Sequence, residues 1–370
     1  MSITHPFTSR ATAFLIGLSA LVCTQAGSID QLESSFELID DDDISITQGS
    51  LLTTFTTENW RTSLSLAHTA YDIDYQPVDF DFLGKKTRLK EHNTSLQINS
   101  RRTLKEGLWL LLGAGTYDGF TSYRSIWLDE YFKQQYSEPL DPVPGESYVF
   151  ADPKGYNATV GGRWEYSPGV GYAQLTLSTT EDDVSPGYEI DFEGLQRGDL
   201  TLNTHSASIS TENILTKRIR SLFELRASET TGRSTRYGAQ LSINTALSEK
   251  FIWQLRIGGA SEDPSFTARY INSKIEYNIN EQLSIYIDAS YYEDTGEVED
   301  SFLFTNASPE LVSRRVGAGL RWTNENWTGR VYIAPFSSRF DNSGANSDFF
   351  SNLYKDRDWT VAQIAFGKTF

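Results

Sequence analysis

The sequence of 370 residues carries a formal net charge of −17 and holds 19 Tyr, 21 Phe and 8 Trp but a single cysteine. That acid excess argues against nucleic acid as a partner, because phosphate binding needs clustered cations. So many aromatics at moderate hydrophobic content suit strands with one apolar face, and not a disordered chain.

In chain order, the first feature is Arg10 followed by the apolar run ATAFLIGLSALV, residues 11–22, and then by small residues through Ala26 and Ser28. This is the order of a secretory signal peptide, and the run is too short to span a bilayer as a helix. Residues 1–26 are therefore expected to be a signal peptide, with cleavage after Ala26 or, alternatively, Ser28. Cys23 stands near a lipoprotein-type position, but Ala20, Leu21 and Val22 before it make a poor lipidation signal. The mature chain, residues 27–370, would then lack cysteine, which excludes a disulfide framework and a cysteine metal site. No later run approaches the roughly 18 to 20 apolar residues of a transmembrane helix.

From residue 44 onward the dominant signal is alternation with period 2. The runs, of about 10 to 13 residues, meet the roughly 9 to 11 that a transmembrane strand needs, and exceed the usual strand of about 5 or 6. The clear ones are Trp60–Ile73, Leu108–Tyr117, Tyr156–Tyr166, Gly171–Thr180, Ile219–Glu229, Arg236–Leu247, Phe251–Ser261, Ala268–Ile279, Leu283–Tyr292, Val312–Trp322 and Trp359–Phe370. Weaker ones lie at Ser45–Thr56, Thr94–Arg102, Leu202–Thr211 and Trp327–Ala334. Closed antiparallel barrels of the bacterial single-chain type prefer an even strand number. The missing strand could be Leu32–Ile39, turned by Asp40–Asp43 into the strand near Ile44. The expectation is all-β: a transmembrane antiparallel up-and-down barrel of about 16 strands, with 14 as the alternative if the N-terminus is a free arm.

The connections alternate in length. Short turns at 57–59, 103–107, 167–169, 214–218, 248–250, 280–282 and 324–326 oppose longer links near 74–90, 118–155, 181–200, 293–311 and 336–358, with tighter ones near 230–235 and 262–265. Short periplasmic turns and long extracellular loops are the layout of an outer-membrane barrel. Within the longest link, 118–155, the segment YRSIWLDEYFKQQY (about 123–136) abandons period 2: Tyr123, Trp127 and Tyr131 recur at i, i+4, which predicts a short amphipathic helix. If it folds into the barrel mouth, Trp127, Asp129, Glu130, Tyr131 and Lys133 would line a constriction and face the arginines of the wall; the other reading is an external lid.

One set of alternate residues is consistently lipid-compatible, as in Phe251, Trp253, Leu255, Ile257 or Leu283, Ile285, Ile287, Ala289. The opposite rows carry Arg163, Arg220, Arg226, Arg236, Arg256, Lys274, Arg315 and Arg321, together with Glu165, Glu224, Glu276 and Asp288. An Arg or Lys facing lipid at the midplane costs about 2 to 4 kcal/mol, so these rows should face the lumen and make it locally basic. Acids collect instead in the long links, for example Asp40–Asp43, and such a separation would bias small charged solutes. A cross-strand ion-pair lattice that fills the barrel is the alternative, but about 16 strands leave an aqueous lumen.

No G-x-S-x-G, H-E-x-x-H or Walker A pattern is present, so neither an enzyme nor a cofactor is expected; Gly367-Lys368-Thr369 mimics the end of a phosphate loop inside the last strand. His68 and His92 fall in neighbouring strands and would be the ingredients of a Ser-His site. Asp72, Asp74, Asp79 and Asp81 could hold calcium, though an acidic solvated loop explains them as well.

The signal peptide, the alternating strands and links, and the terminal WTVAQIAFGKTF together resemble bacterial outer-membrane β-barrel proteins of the porin-like kind. In that class a terminal Phe with apolar residues at alternate positions before it looks like the signal read by the barrel assembly machinery. Phe370, Phe366 and Ile364 match it, while Lys368 departs. The resemblance implies outer-membrane lipid, that machinery and small hydrophilic solutes as partners, and a passive diffusion channel with weak anion bias, or else a non-conducting structural or surface-binding barrel.

Overall fold

The computed structural model describes residues 28–76, 85–136, 149–184, 187–191, 194–198, 200–263, 266–296, 309–341 and 353–370; the expected signal peptide and the Asp79–Asp81 part of the calcium reading lie outside them. The strands in chain order are β1 (Ser28–Asp40), β2 (Ile44–Thr56), β3 (Trp60–Tyr75), β4 (Thr87–Lys105), β5 (Leu108–Gly119), β6 (Lys154–Ser167), β7 (Gly171–Asp183), β8 (Gly187–Asp191), β9 (Gly194–Gly198), β10 (Thr201–Thr216), β11 (Ile219–Thr230), β12 (Arg236–Ala246), β13 (Phe251–Glu262), β14 (Phe266–Asn278), β15 (Leu283–Asp294), β16 (Leu311–Asn324), β17 (Trp327–Phe340) and β18 (Arg357–Thr369). Sixteen of them pair with their sequence neighbours into one closed antiparallel barrel, β18 returning to β1 with Phe36 opposite Ile364.

The even count is completed by β1, turned at Asp41–Asp43 into β2. Among the described residues, only β8 and β9 stand outside the barrel, as a separate two-stranded hairpin within the link between β7 and β10. That link reads as irregular in the sequence because its two strands are 5 residues each, too short for a periodicity signal. Helix α1 (Tyr123–Tyr136) occupies the link between β5 and β6. The short turns at the opposite end use glycine where the backbone turns left-handed, at Gly107 (φ 71°) and Gly169 (φ 68°).

Closure pairs both edges of each barrel strand, which is the condition for crossing hydrocarbon with strands. The outer rows are aliphatic and exposed, with Ile287 at 62%, Val316 at 57% and Val331 at 53%. Leaving a side chain of that size in water forgoes about 1.5 to 3 kcal/mol each, so a girdle of them is stable only against lipid. The barrel is therefore a transmembrane one. Trp322, Trp327 and Phe370 stand exposed near the short-turn rim, where an aromatic girdle belongs; Lys368 lies 4.4 Å from the Phe370 ring and 5.3 Å from that of Trp327, folding its charge over the rim.

On the lumen side, tyrosines lie flat across glycines of the neighbouring strand. A Cβ built on Gly155, Gly258, Gly317 or Gly319 would collide with the ring of Tyr117, Tyr270, Tyr332 or Tyr286, respectively. Three of these rings reach past the glycine to an acceptor one strand further: Tyr117 donates to Asp182 at 2.7 Å, Tyr270 to Gln240 at 2.5 Å and Tyr332 to Asp288 at 2.9 Å. Each such tyrosine ties three strands together while keeping the ring against the wall. The barrel centre is thus lined but not filled, and the main hydrophobic cluster sits at the long-link end.

Candidate functional site: a plugged mouth over a charged lumen

Helix α1 starts with Ser122, whose Oγ accepts from the Arg124 amide at 3.2 Å, an N-cap. It lies inside the mouth: Ile126, Trp127, Leu128, Asp129, Glu130 and Tyr131 are all buried. Trp127 packs on Tyr75 of β3 with ring centroids 4.8 Å apart and stacks on Tyr131 at 6.0 Å. Tyr123 meets Trp359 of β18 at 5.8 Å. Around them close Ile44, Tyr71, Ile73, Phe120, Val184, Phe340, Leu353 and Tyr354. Inward-facing positions near the top of β2, β3, β17 and β18 are apolar for this reason: they meet an aromatic plug instead of water.

The five residues expected to line a constriction are accordingly placed otherwise. Trp127 and Tyr131 turn into the apolar cluster, Asp129 accepts from the Ala151 amide at 3.4 Å, and Glu130 accepts from Lys133 at 3.0 Å and Gln134 at 2.6 Å. They build the body of the plug and do not meet the arginine rows.

The plug is fastened by a residue that sequence reasoning passed over. Arg357, only 2% exposed at the start of β18, donates to Asp41 at 2.9 Å and to Asp43 in the turn between β1 and β2. Lys355 reaches Asp43 at 2.7 Å, and the Arg357 guanidinium also lies 5.6 Å from the Trp359 ring and 6.0 Å from that of Tyr123. Burial pushes the Asp43 carboxyl up, and Arg357 and Lys355 more than offset it, holding it below the ordinary carboxylate value. The run Asp40–Asp43 is thus part clamp, where its sequence suggested a turn and loop charge.

Below the plug, the cations read from the alternation all occupy the face opposite the exposed aliphatic rows. Arg163 and Arg220 share Glu212, the first at 3.2 Å. Lys274 and Arg321 share Glu276 at 3.3 and 2.5 Å. Arg315 lies 3.7 Å from Asp288, Arg236 pairs with Glu262 at 2.9 Å, and Arg226 donates to Ser206 at 3.1 Å. Among the described residues no carboxylate pairs with Arg256. A partial ion-pair lattice therefore exists, but it lies along the wall: Arg220, Arg226, Arg256 and Arg321 remain exposed although they face inward. The strand register arranges this wall in rows. Arg220, Asn244, Gln254, Lys274 and Asp288 stand side by side on successive strands, and the row above them holds Arg256, Asn272, Ser290 and Arg315. They line a recess of about 580 Å³.

The remaining sequence candidates are dispersed. His68 and His92 are ring neighbours at 5.9 Å on the outer face, where His68 bonds Thr94 at 2.9 Å, so they have no access to the lumen. Asp72 is held by Arg88 at 2.5 Å. Among the described residues no group of three metal-ligating side chains comes together.

No family model and no curated protein sequence matches this chain. Solved structures do match in fold. CdiB from Acinetobacter baumannii superposes with a TM-score of 0.54 at 12% identity, over 91% of this chain and 60% of its own. A bacterial polysaccharide outer membrane secretin gives 0.51 at 8% identity over 92% and 98%, and the TodX deltaS2S3 mutant monoaromatic hydrocarbon channel gives 0.50 at 10% over 93% and 91%. The chain thus spans 60% of the CdiB length. At such identities the shared property is architecture: the chain has the closed β-barrel fold of bacterial outer-membrane proteins, with charged side chains exposed on its inner face.

Proposed function

We propose that the barrel is a porin-like channel for passive diffusion of small hydrophilic solutes, with a weak anion bias. The observation that carries this is the wall of exposed, inward-facing arginines below the plug, on a barrel of 16 strands, a size that leaves an aqueous lumen. Arg163, Arg220, Arg226, Arg236, Arg256, Lys274, Arg315 and Arg321 act as pore-lining groups in this reading. Trp127, Asp129, Glu130, Tyr131 and Lys133 narrow the entrance by bulk, since they are packed within the plug. Phe370, Phe366 and Ile364 serve as the signal for the barrel assembly machinery.

The plug itself favours a second reading, a non-conducting structural or surface-binding barrel, because an aromatic cluster closes part of the mouth. Planar bilayers separate the two. The purified protein should give discrete conductance steps, with a reversal potential in a chloride gradient that shows chloride passing more readily than potassium. Absence of steps at every voltage would leave the second reading. Deleting residues 123–136 should raise the step size severalfold, whereas an unchanged step would put the conduction path away from the plug.

A further inference from the structure

On the lumen wall, Arg256 of β13 and Arg315 of β16 end one row of the sheet, and Asn272 and Ser290 fill the two places between them. Three strand spacings separate the ends, about 14 Å between backbones, and two long side chains close much of that distance. Lys274 stands in the row below, and all five line the same recess. The carboxylates there are already engaged: Asp288 accepts from Tyr332 at 2.9 Å and lies 3.7 Å from Arg315, while Glu212 is shared by Arg163 and Arg220. Arg256 has no carboxylate partner among the described residues. The lining of the recess thus holds four cations, Arg220, Arg256, Lys274 and Arg315, against two carboxylates, Glu212 and Asp288.

We propose that this row is a binding site for a small hydroxylated dianion, with an acidic group at each end, held while it passes through the lumen. The assignment rests on the channel reading for the transit but not for the binding. Guanidinium forks match carboxylate and phosphate oxygens in bidentate geometry. The amide of Asn272 and the hydroxyl of Ser290 both donate and accept, so they suit hydroxyls in the middle of the ligand. A volume of about 580 Å³ is in the range of small-molecule sites, about 300 to 1,000 Å³. A monoanion can engage only one end.

Calorimetric titration of the detergent-folded full barrel with tartrate tests the site, with lactate as the hydroxylated monoanion. Tartrate should bind saturably and about tenfold or more tightly than lactate, the loss of one charge-assisted contact being worth about a factor of ten. Arg256→Gln and Arg315→Gln should each weaken tartrate about tenfold, Arg256→Lys should restore part of it, and Arg88→Gln on the outer surface should leave it unchanged. Heat-shifted gel mobility verifies that each variant has closed its barrel. Absence of saturable tartrate heat, equal affinity for lactate, or an unaffected Arg256→Gln would overturn the site. Conductance without tartrate binding removes the site and keeps the channel; tartrate binding without conductance does the reverse.

Discussion

At position 357 a guanidinium is sealed among aromatic rings, and two aspartates from the far end of the chain make that placement tolerable. Removing one member of a buried ion pair leaves the other charge desolvated, at about 3 to 5 kcal/mol. Lys355 still serves Asp43 when Arg357 is gone, so Arg357→Met should destabilise the mouth by an amount near the lower end of that range. Hydrogen exchange at Asp41–Ile44 and quenching of Trp127 and Trp359 fluorescence would report it, and unchanged protection there would show the clamp to be idle. The same clamp sets a pH dependence. Because the folded Asp43 carboxyl titrates below its ordinary value of 3.8, its ionised form contributes stability that is complete above that value. The contribution drains away as pH falls through the lower, folded one. Trp fluorescence should therefore be flat from neutrality to about pH 5 and show loosening of the plug only at more acid pH; loosening between pH 7 and 6 would point to another group.

The elements divide into those whose sequence states their surroundings and those whose sequence does not. A strand slipped by one residue would turn Arg256 or Lys274 into lipid and Ile257 or Ile275 into water, so alternation alone fixes which face is which. Most barrel strands, and the face of the sheet on which the cations stand, were legible for that reason. Helix α1 was legible as a helix, with the bounds that its i, i+4 aromatics suggest. Its destination was not, since nothing local says that Trp127 will meet Tyr75 some 50 positions upstream. The wall tyrosines are a related case: Tyr286 sits directly opposite Gly319, but the match is visible only once register is known. It leads to a paired test. Gly319→Ala drives a methyl into the Tyr286 ring and should cost about 1 to 3 kcal/mol, read as a lower urea midpoint of the folded barrel. Gly49→Ala, where a Cβ meets nothing within 4 Å, should be neutral or stabilise by about 0.4 to 1 kcal/mol. Equal effects would show that the tyrosines do not rest on their glycines.

For the whole molecule, the net charge of −17 and the arginine wall are compatible because acids and bases are segregated by height and by face. The clamp also joins the two ends of the chain, Arg357 reaching Asp41 across 316 positions. That distance imposes an order of events. Trp359 and Arg357 belong to the last strand, so the helix between β5 and β6, although made early, finds its full seat only after the final strand has docked on the first. A chain stopped before residue 357 should leave segment 123–136 open to proteases, whereas the full barrel should resist cleavage there; resistance in the truncated chain would refute that order. The plug thereby acts as a marker of completion: a barrel still unzipped along its seam leaves the aromatic helix unseated, and a finished one has nothing left there to cut.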